Sequence, residues 1–123
     1  MKSKQKTIKY SVSCTGVGLH TGVQSTVTFH PADEDTGIRF IRNDLGDKQV
    51  TPDIDNVIDL TRGTTIEENG IRVHTTEHVL SACAGMGVNN LIIELNSKEP
   101  PVMDGSSKDF VAALKEGKII EQD

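Results

Sequence analysis

Residues 73–87 read VHTTEHVLSACAGMG: two threonines, an adjacent Glu77 and His78, and then apolar and small residues at helical spacing. Either threonine can serve as a helix N-cap, because a hydroxyl at that position accepts a hydrogen bond from the free amides of the first turn. The segment therefore predicts a helix whose first turn carries Glu77 and His78. The expected buried stripe of this helix is Val79, Cys83 and Met86.

Alternating apolar residues predict strands on the N-terminal side of this helix. TIKYSV places Ile8, Tyr10 and Val12 on one face, and VQSTVTFH and GIRFIR alternate in the same way. The stretch LTRGTTIEENGIRVH predicts a hairpin, because Asn69 and Gly70 suit the positive φ angles of a type I′ turn.

Two more elements are predicted on the C-terminal side. NLIIEL is mostly apolar, as expected of a strand covered on both faces. SSKDFVAALKEG predicts a second helix that Gly117 ends. Its expected buried stripe is Phe110, Val111 and Leu114.

Strands first and helices late in the chain indicate an α+β fold. We expect a two-layer sandwich in which a mixed or antiparallel β-sheet carries two helices packed on one face. Residues 1–123 are expected to form a single domain, because a chain of this length can bury one core.

The composition limits the classes of function. Eighteen acidic against thirteen basic residues give a formal net charge of −5, and the basic residues are scattered, which argues against a nucleic-acid-binding surface. No run approaches the ~18 apolar residues of a transmembrane helix, and no signal-peptide core follows the basic N-terminus. Cys14 and Cys83 are far apart and outside any C-x-x-C motif, as expected of free thiols in a reducing cytoplasm.

Taken alone, the Glu77 and His78 pair has two interpretations. Glu77 complements the helix dipole even if it performs no chemistry, and His78 can be a partly buried, neutral side chain. A neutral imidazole is also the form that binds a metal, but a catalytic zinc needs three protein ligands and one histidine falls short of that number. The loop CTGVGLHTG is neither a P-loop nor a Rossmann fingerprint, because a strand pattern follows it. Asp104 lies in an Asp-Gly turn, where aspartate is common.

Three motifs occur in this order along the chain: TGVGLHTG, TTEHVLSACAGMGVNN and PPVMDGSSKDFV. Together they favour the interpretation in which the Glu77 and His78 pair performs chemistry. Over nearly its whole length the sequence resembles the zinc-dependent UDP-3-O-acyl-N-acetylglucosamine deacetylases of Gram-negative lipid A biosynthesis. The resemblance implies that Glu77 is a general base and that His78 is a zinc ligand. It also implies that Leu19 and His20, in the G-V-G-L-H-x-G loop, lie near the substrate.

Four further residues are assigned by the resemblance alone. The segment that holds Arg62, Gly63 and Thr64 aligns with a loop that lines the same cleft in the family. Asp104 matches the aspartate of the M-D-G-S motif. We expect Asp104 to support other site residues or to have a structural role, without contacting the substrate.

The resemblance also implies that the zinc site is incomplete in this chain. Members of the family look like two similar domains with the active site between them, and residues 1–123 would be the first domain. The remaining zinc ligands form an H-x-x-x-D motif of the second domain, and that motif does not occur in this sequence. We therefore expect residues 1–123 alone to be inactive.

The implied partners are the second deacetylase domain and the substrate, UDP-3-O-acyl-N-acetylglucosamine. Any contact with a membrane would be peripheral, through the lipid part of the substrate. The alternative from another class of function is a non-catalytic α+β binding or interaction module.

Overall fold

The computed structural model describes residues 4–61, 63–103 and 105–123. Arg62 and Asp104, assigned above by resemblance, therefore lie outside the described residues. Within the described ranges the chain forms ten strands and two α-helices. The strands are β1 Lys6–Ile8, β2 Val12–Val17, β3 Gln24–Pro31, β4 Ile38–Arg42, β5 Lys48–Val50, β6 Val57–Asp59, β7 Thr65–Glu68, β8 Ile71–Val73, β9 Leu91–Leu95 and β10 Ile119–Glu121. The helices are α1 Glu77–Gly85 and α2 Lys108–Glu116.

The largest sheet has five strands in the order β2-β3-β9-β4-β5. This sheet is mixed, because β9 runs parallel to β4 whereas the other neighbouring pairs are antiparallel. A three-stranded antiparallel sheet, β6-β7-β8, and a two-stranded one, β1-β10, account for the other strands. The predicted α+β class is confirmed, but the described strands are divided among three sheets rather than placed in one.

Both helices and one face of the five-stranded sheet contribute to one hydrophobic core. Val27 and Phe29 of β3 are fully buried on that face. Phe110 of α2 packs edge-on against Phe29, with 6.2 Å between the ring centroids. Burial of a phenylalanine side chain contributes about 1.5–3 kcal/mol to stability. This pair therefore stabilises the packing of α2 against the sheet. The buried side chains of α1 are Val79, Ala82 and Cys83, and Met86 is partly buried beside them.

Several predicted local features are confirmed. The segments VQSTVTFH, GIRFIR and NLIIEL hold β3, β4 and β9. Asn69 and Gly70 connect β7 to β8 with φ angles of 53° and 81°, so both are positive as a type I′ turn requires. Gly117 stands at the C-cap of α2.

The prediction of one strand through TIKYSV is wrong. β1 ends at Ile8 and β2 begins at Val12. Between them, the backbone N–H of Tyr10 donates to the carbonyl oxygen of Gly117 at 2.9 Å, so the chain turns toward the end of α2. Tyr10 is 53% exposed and does not share the core face of Ile8.

The prediction that β9 is covered on both faces is also wrong. Leu91, Ile93 and Leu95 are buried, whereas Ile92 and Glu94 are half-buried on the other face. Leu91, Ile93 and Leu95 share the hydrophobic core with both helices. The other face carries polar contacts between strands, such as the 2.6 Å contact between His30 Nε2 and Glu94 Oε1.

The structure also describes the state of the two cysteines and the length of the helices. Cys14 and Cys83 both carry free thiols, and Cys14 is half-buried. Burial raises the pKa of Cys83 to about 12. In the described ranges no helix is long and apolar enough to cross a membrane.

Candidate active site

The first turn of α1 carries Glu77 and His78, as the sequence predicts. Thr76 occupies the N-cap position, but its hydroxyl does not cap the helix and donates instead to the carbonyl oxygen of Thr64 at 3.3 Å. The backbone N–H of Thr76 donates to the same carbonyl at 3.1 Å. The start of α1 is therefore attached to the residue that precedes β7.

The carboxylate of Glu77 is held by the same segment. The backbone N–H of Thr64 donates to its Oε1 at 2.9 Å. A Cβ on Gly63 would lie 2.7 Å from its Oε2, so glycine is what allows the backbone to approach the carboxylate this closely. Gly63 also has a φ of 102°, which favours glycine. Thus Gly63 and Thr64, two residues of the predicted cleft-lining loop, contact the predicted general base.

His78 is half-buried, so its imidazole is not sealed inside the core. Among the described residues, no group of three or more His, Cys, Asp and Glu side chains is placed to hold a metal ion. A catalytic zinc needs three protein ligands. The residues present therefore fit one ligand of a zinc site and do not fit a complete site.

A cleft of ≈ 390 Å³ opens beside Thr65, the first residue of β7. His20 lines this cleft, and its neighbour Leu19 is 54% exposed in the same loop. Glu77 and His78 do not line it, so the cleft and the first turn of α1 are neighbouring features connected through Thr64. The polar lining residues are His20, Thr21, Asp59, Thr65, His74 and Lys98.

His74 belongs to this cleft, although no sequence motif singled it out. Its Nδ1 lies 3.0 Å from the hydroxyl of Thr65. Burial, followed by the positive charge of Lys98, lowers the pKa of His74. The ring is therefore neutral at pH 7 and can both donate and accept a hydrogen bond in the cleft.

Glu99 is a second residue that the sequence analysis missed. Its side chain is fully buried, and it accepts hydrogen bonds from the backbone N–H groups of His20 and Thr21. Glu99 stands one residue before the motif PPVMDGSSKDFV, in a polar stretch that reads as an ordinary loop. A buried carboxylate at that point has no local sequence signal, because its partners are distant in the chain.

Comparison with known proteins places these features in a family. The sequence profile of LpxC, described as UDP-3-O-acyl N-acetylglycosamine deacetylase, matches residues 5–123. The chain is 50% identical over 120 residues to the bifunctional enzyme LpxC/FabZ of Chlorobaculum tepidum, a match that covers 97% of this chain and 26% of that protein. It is 46% identical over 120 residues to the UDP-3-O-acyl-N-acetylglucosamine deacetylase of Saccharophagus degradans, covering 97% of this chain and 40% of that protein.

The corresponding enzyme of Psychrobacter sp. is 42% identical over 120 residues, with the same coverage of 97% of this chain and 40% of the relative. The chain therefore spans between 26% and 40% of the length of these relatives. Because the family profile matches nearly every residue, the chain belongs to the LpxC family of UDP-3-O-acyl N-acetylglycosamine deacetylases.

Proposed function

We propose that this chain is the N-terminal part of a zinc-dependent amidohydrolase that removes the N-acetyl group from UDP-3-O-acyl-N-acetylglucosamine in lipid A biosynthesis. The observation that carries the proposal is the pair of half-buried side chains, Glu77 and His78, in the first turn of α1. One oxygen of Glu77 is fixed by Thr64, and among the described residues the other oxygen makes no hydrogen bond. Membership of the LpxC family supports the same conclusion.

In this proposal His78 contributes one imidazole ligand to zinc. A bound zinc would polarise the acetyl carbonyl and acidify a water molecule. Glu77 takes the proton of the attacking water on Oε2, the oxygen that its contact with Thr64 leaves available. Because Thr64 fixes Oε1, the carboxylate keeps one orientation while it accepts the proton.

The substrate would lie along the cleft next to this pair. His20 lines the cleft, and Leu19 exposes an apolar side chain at the same loop. The neutral ring of His74 adds a hydrogen-bonding group that the family resemblance did not assign. The roles of Arg62 and Asp104 stay predictions based on resemblance.

We further propose that the other zinc ligands and the acid that protonates the departing amine come from a second domain. Two observations support this division: the described residues contain no set of three possible ligands, and the relatives are at least twice as long as the match. Residues 1–123 alone should then be inactive. The reaction would take place in the cytoplasm, where Cys14 and Cys83 stay reduced.

The test is acetate release from UDP-3-O-acyl-N-acetylglucosamine by the zinc-loaded full-length protein. The wild type should turn over, and His78→Gln should not. His30→Gln, a change on the face of the sheet away from the helices, should retain the activity. A wild type without turnover would refute the proposal and favour the non-catalytic binding module. Turnover by residues 1–123 alone would contradict the shared metal site.

A further inference from the structure

Glu99 is a carboxylate with no exposed surface, in the segment between β9 and α2. An ionised carboxylate is costly to bury unless hydrogen bonds or an opposite charge replace its hydration. In the part of the chain that the structure describes, none of the ion pairs involves Glu99. Its charge is therefore balanced by hydrogen bonds.

The donors to Glu99 come from two separate parts of the chain. The backbone N–H groups of His20 and Thr21 both donate to Oε1 at 3.0 Å, and that of His20 also reaches Oε2 at 3.3 Å. The hydroxyl of Thr75 donates to Oε2 at 2.5 Å. Burial would raise the pKa of Glu99, but the hydrogen bonds from Thr75, Thr21 and His20 hold it below its usual range. The carboxylate is thus ionised at neutral pH.

Gly18 provides the space that this carboxylate occupies. A Cβ on Gly18 would lie 2.5 Å from Oε1 of Glu99 and 2.5 Å from Oγ1 of Thr21. The N–H of Gly18 donates to the carbonyl oxygen of Val23 at 2.9 Å, which closes residues 18–23 into a loop. This loop, called the His20 loop below, is therefore folded around the anion.

On the other side of the carboxylate, Thr75 has a φ of 53°. A β-branched residue rarely adopts a positive φ, because its side chain then crowds the backbone. Here the hydroxyl of Thr75 is bonded to Glu99, and the next residue, Thr76, is bonded to Thr64. Thr75 lies two residues before Glu77, so Glu99 is connected to the first turn of α1.

We propose that Glu99 is a positioning residue whose carboxylate holds the His20 loop and the start of α1 at a fixed separation. The cleft lined by His20 and the pair formed by Glu77 and His78 would then act on one substrate. The catalytic meaning of this inference rests on the proposed deacetylase function, whereas the connection itself is a property of the fold.

The connection can be tested at Thr75, because Thr75→Ala removes the hydroxyl and Thr75→Ser keeps it. In the full-length protein, Thr75→Ala should speed hydrogen exchange at the amides of His20 and Thr21 by about tenfold, although these amides are distant in sequence. Thr75→Ser should restore the wild-type rate. Exchange is measured by mass spectrometry on peptides that cover residues 18–23.

Glu99→Gln tests the acceptor directly and should accelerate the same amides more than Thr75→Ala does. The matched control is Glu94→Gln, which also changes a hydrogen-bonded glutamate but on the face of the sheet away from the helices. This control should leave the exchange of the His20 loop unchanged. If Glu99→Gln fails to fold, the comparison of the two Thr75 variants still decides the question.

Turnover of the same variants tests the positioning role. Thr75→Ala and Glu99→Gln should lower kcat/KM by at least about tenfold, and Thr75→Ser should restore it. Unchanged exchange of the His20 loop in folded Thr75→Ala would overturn the connection. Faster exchange with an unchanged kcat/KM would overturn the positioning role. A wild type that releases no acetate would refute the proposed function instead. The exchange rates would still show whether Glu99 connects the His20 loop to the start of α1, because they do not depend on deacetylase activity.

Discussion

Replacing Glu77 with glutamine separates its proposed chemistry from its structural contact. The amide oxygen of glutamine can take the place of Oε1 and accept the hydrogen bond from Thr64, which is 2.9 Å long in this structure. The amide nitrogen then occupies the position of Oε2 beside Gly63, where it cannot take a proton from water. The change removes the proposed base and leaves the start of α1 in place.

The expected losses of stability and of activity differ in size. A hydrogen bond to a charged acceptor contributes about 1.5–3 kcal/mol and a neutral one about 0.5–1.5 kcal/mol, so the weaker bond from Thr64 costs about 1 kcal/mol. Loss of the negative charge from the helix N-terminus costs a further ~0.3–1 kcal/mol. The free energy of unfolding should thus fall by about 1–2 kcal/mol. Loss of a general base should lower kcat by about 10²–10⁴-fold, or about 3–5 kcal/mol of activation free energy.

The assay combines acetate release with denaturant unfolding, both on the full-length, zinc-loaded protein. Glu77→Ala also loses the bond from Thr64, so it should match Glu77→Gln in kcat and be the less stable of the two. Glu67→Gln is the control, because Glu67 forms an exposed ion pair with Arg72. A Glu77→Gln protein whose kcat stays within about threefold of the wild type would refute the role of Glu77 as the base.

Three further predictions concern the fold. Phe110→Ala should lower the free energy of unfolding by about 3–5 kcal/mol, whereas the half-buried Val111→Ala should cost less than half of that in denaturant unfolding; equal losses would contradict the packing described for α2. Hydrogen bonds from the side chains of Asn43 and then His30 hold the pKa of Glu94 below its usual value of 4.5. The stability that Glu94 contributes is therefore present above that pH and is lost as the pH falls through the folded pKa. Glu94→Gln should therefore show a shallower loss of stability in acid titrations, and a curve parallel to the wild type would argue against the bond. Because the pKa of Cys83 is about 12, iodoacetamide should not label it in the native protein near neutral pH but should label it after denaturation; native labelling, detected by mass spectrometry, would show that the site opens.

Much of the fold could be predicted because the signals are local. α1 follows from spacing within residues 73–87, and the β7–β8 turn follows from Asn69 and Gly70 alone. The break after β1 could not be predicted, because the amide of Tyr10 is satisfied by Gly117 at the other end of the chain. The alternation of TIKYSV continues through a point where a distant carbonyl redirects the backbone.

In the candidate site, too, the residues with a local sequence signal were predicted, and those that depend on distant contacts were missed. The position of Glu77 and His78 in the first turn of α1 was predicted from residues 73–87 and is confirmed, whereas their catalytic and zinc-binding roles stay predictions. Glu99 was missed, because its burial depends on amides 79 and 78 residues away along the chain. His74 was passed over because its lowered pKa arises from burial in the cleft and from Lys98, which no motif encodes.

In the proposed enzyme, His78 forms one side of a zinc site that the rest of the protein completes. This shared site is tested by measuring the zinc that remains after exhaustive dialysis in the full-length protein, its His78→Ala variant and residues 1–123. We expect one zinc per full-length chain, an affinity at least about 100-fold weaker in His78→Ala, and no retained zinc in residues 1–123. A His78→Ala protein that holds zinc as tightly as the wild type would contradict the shared site.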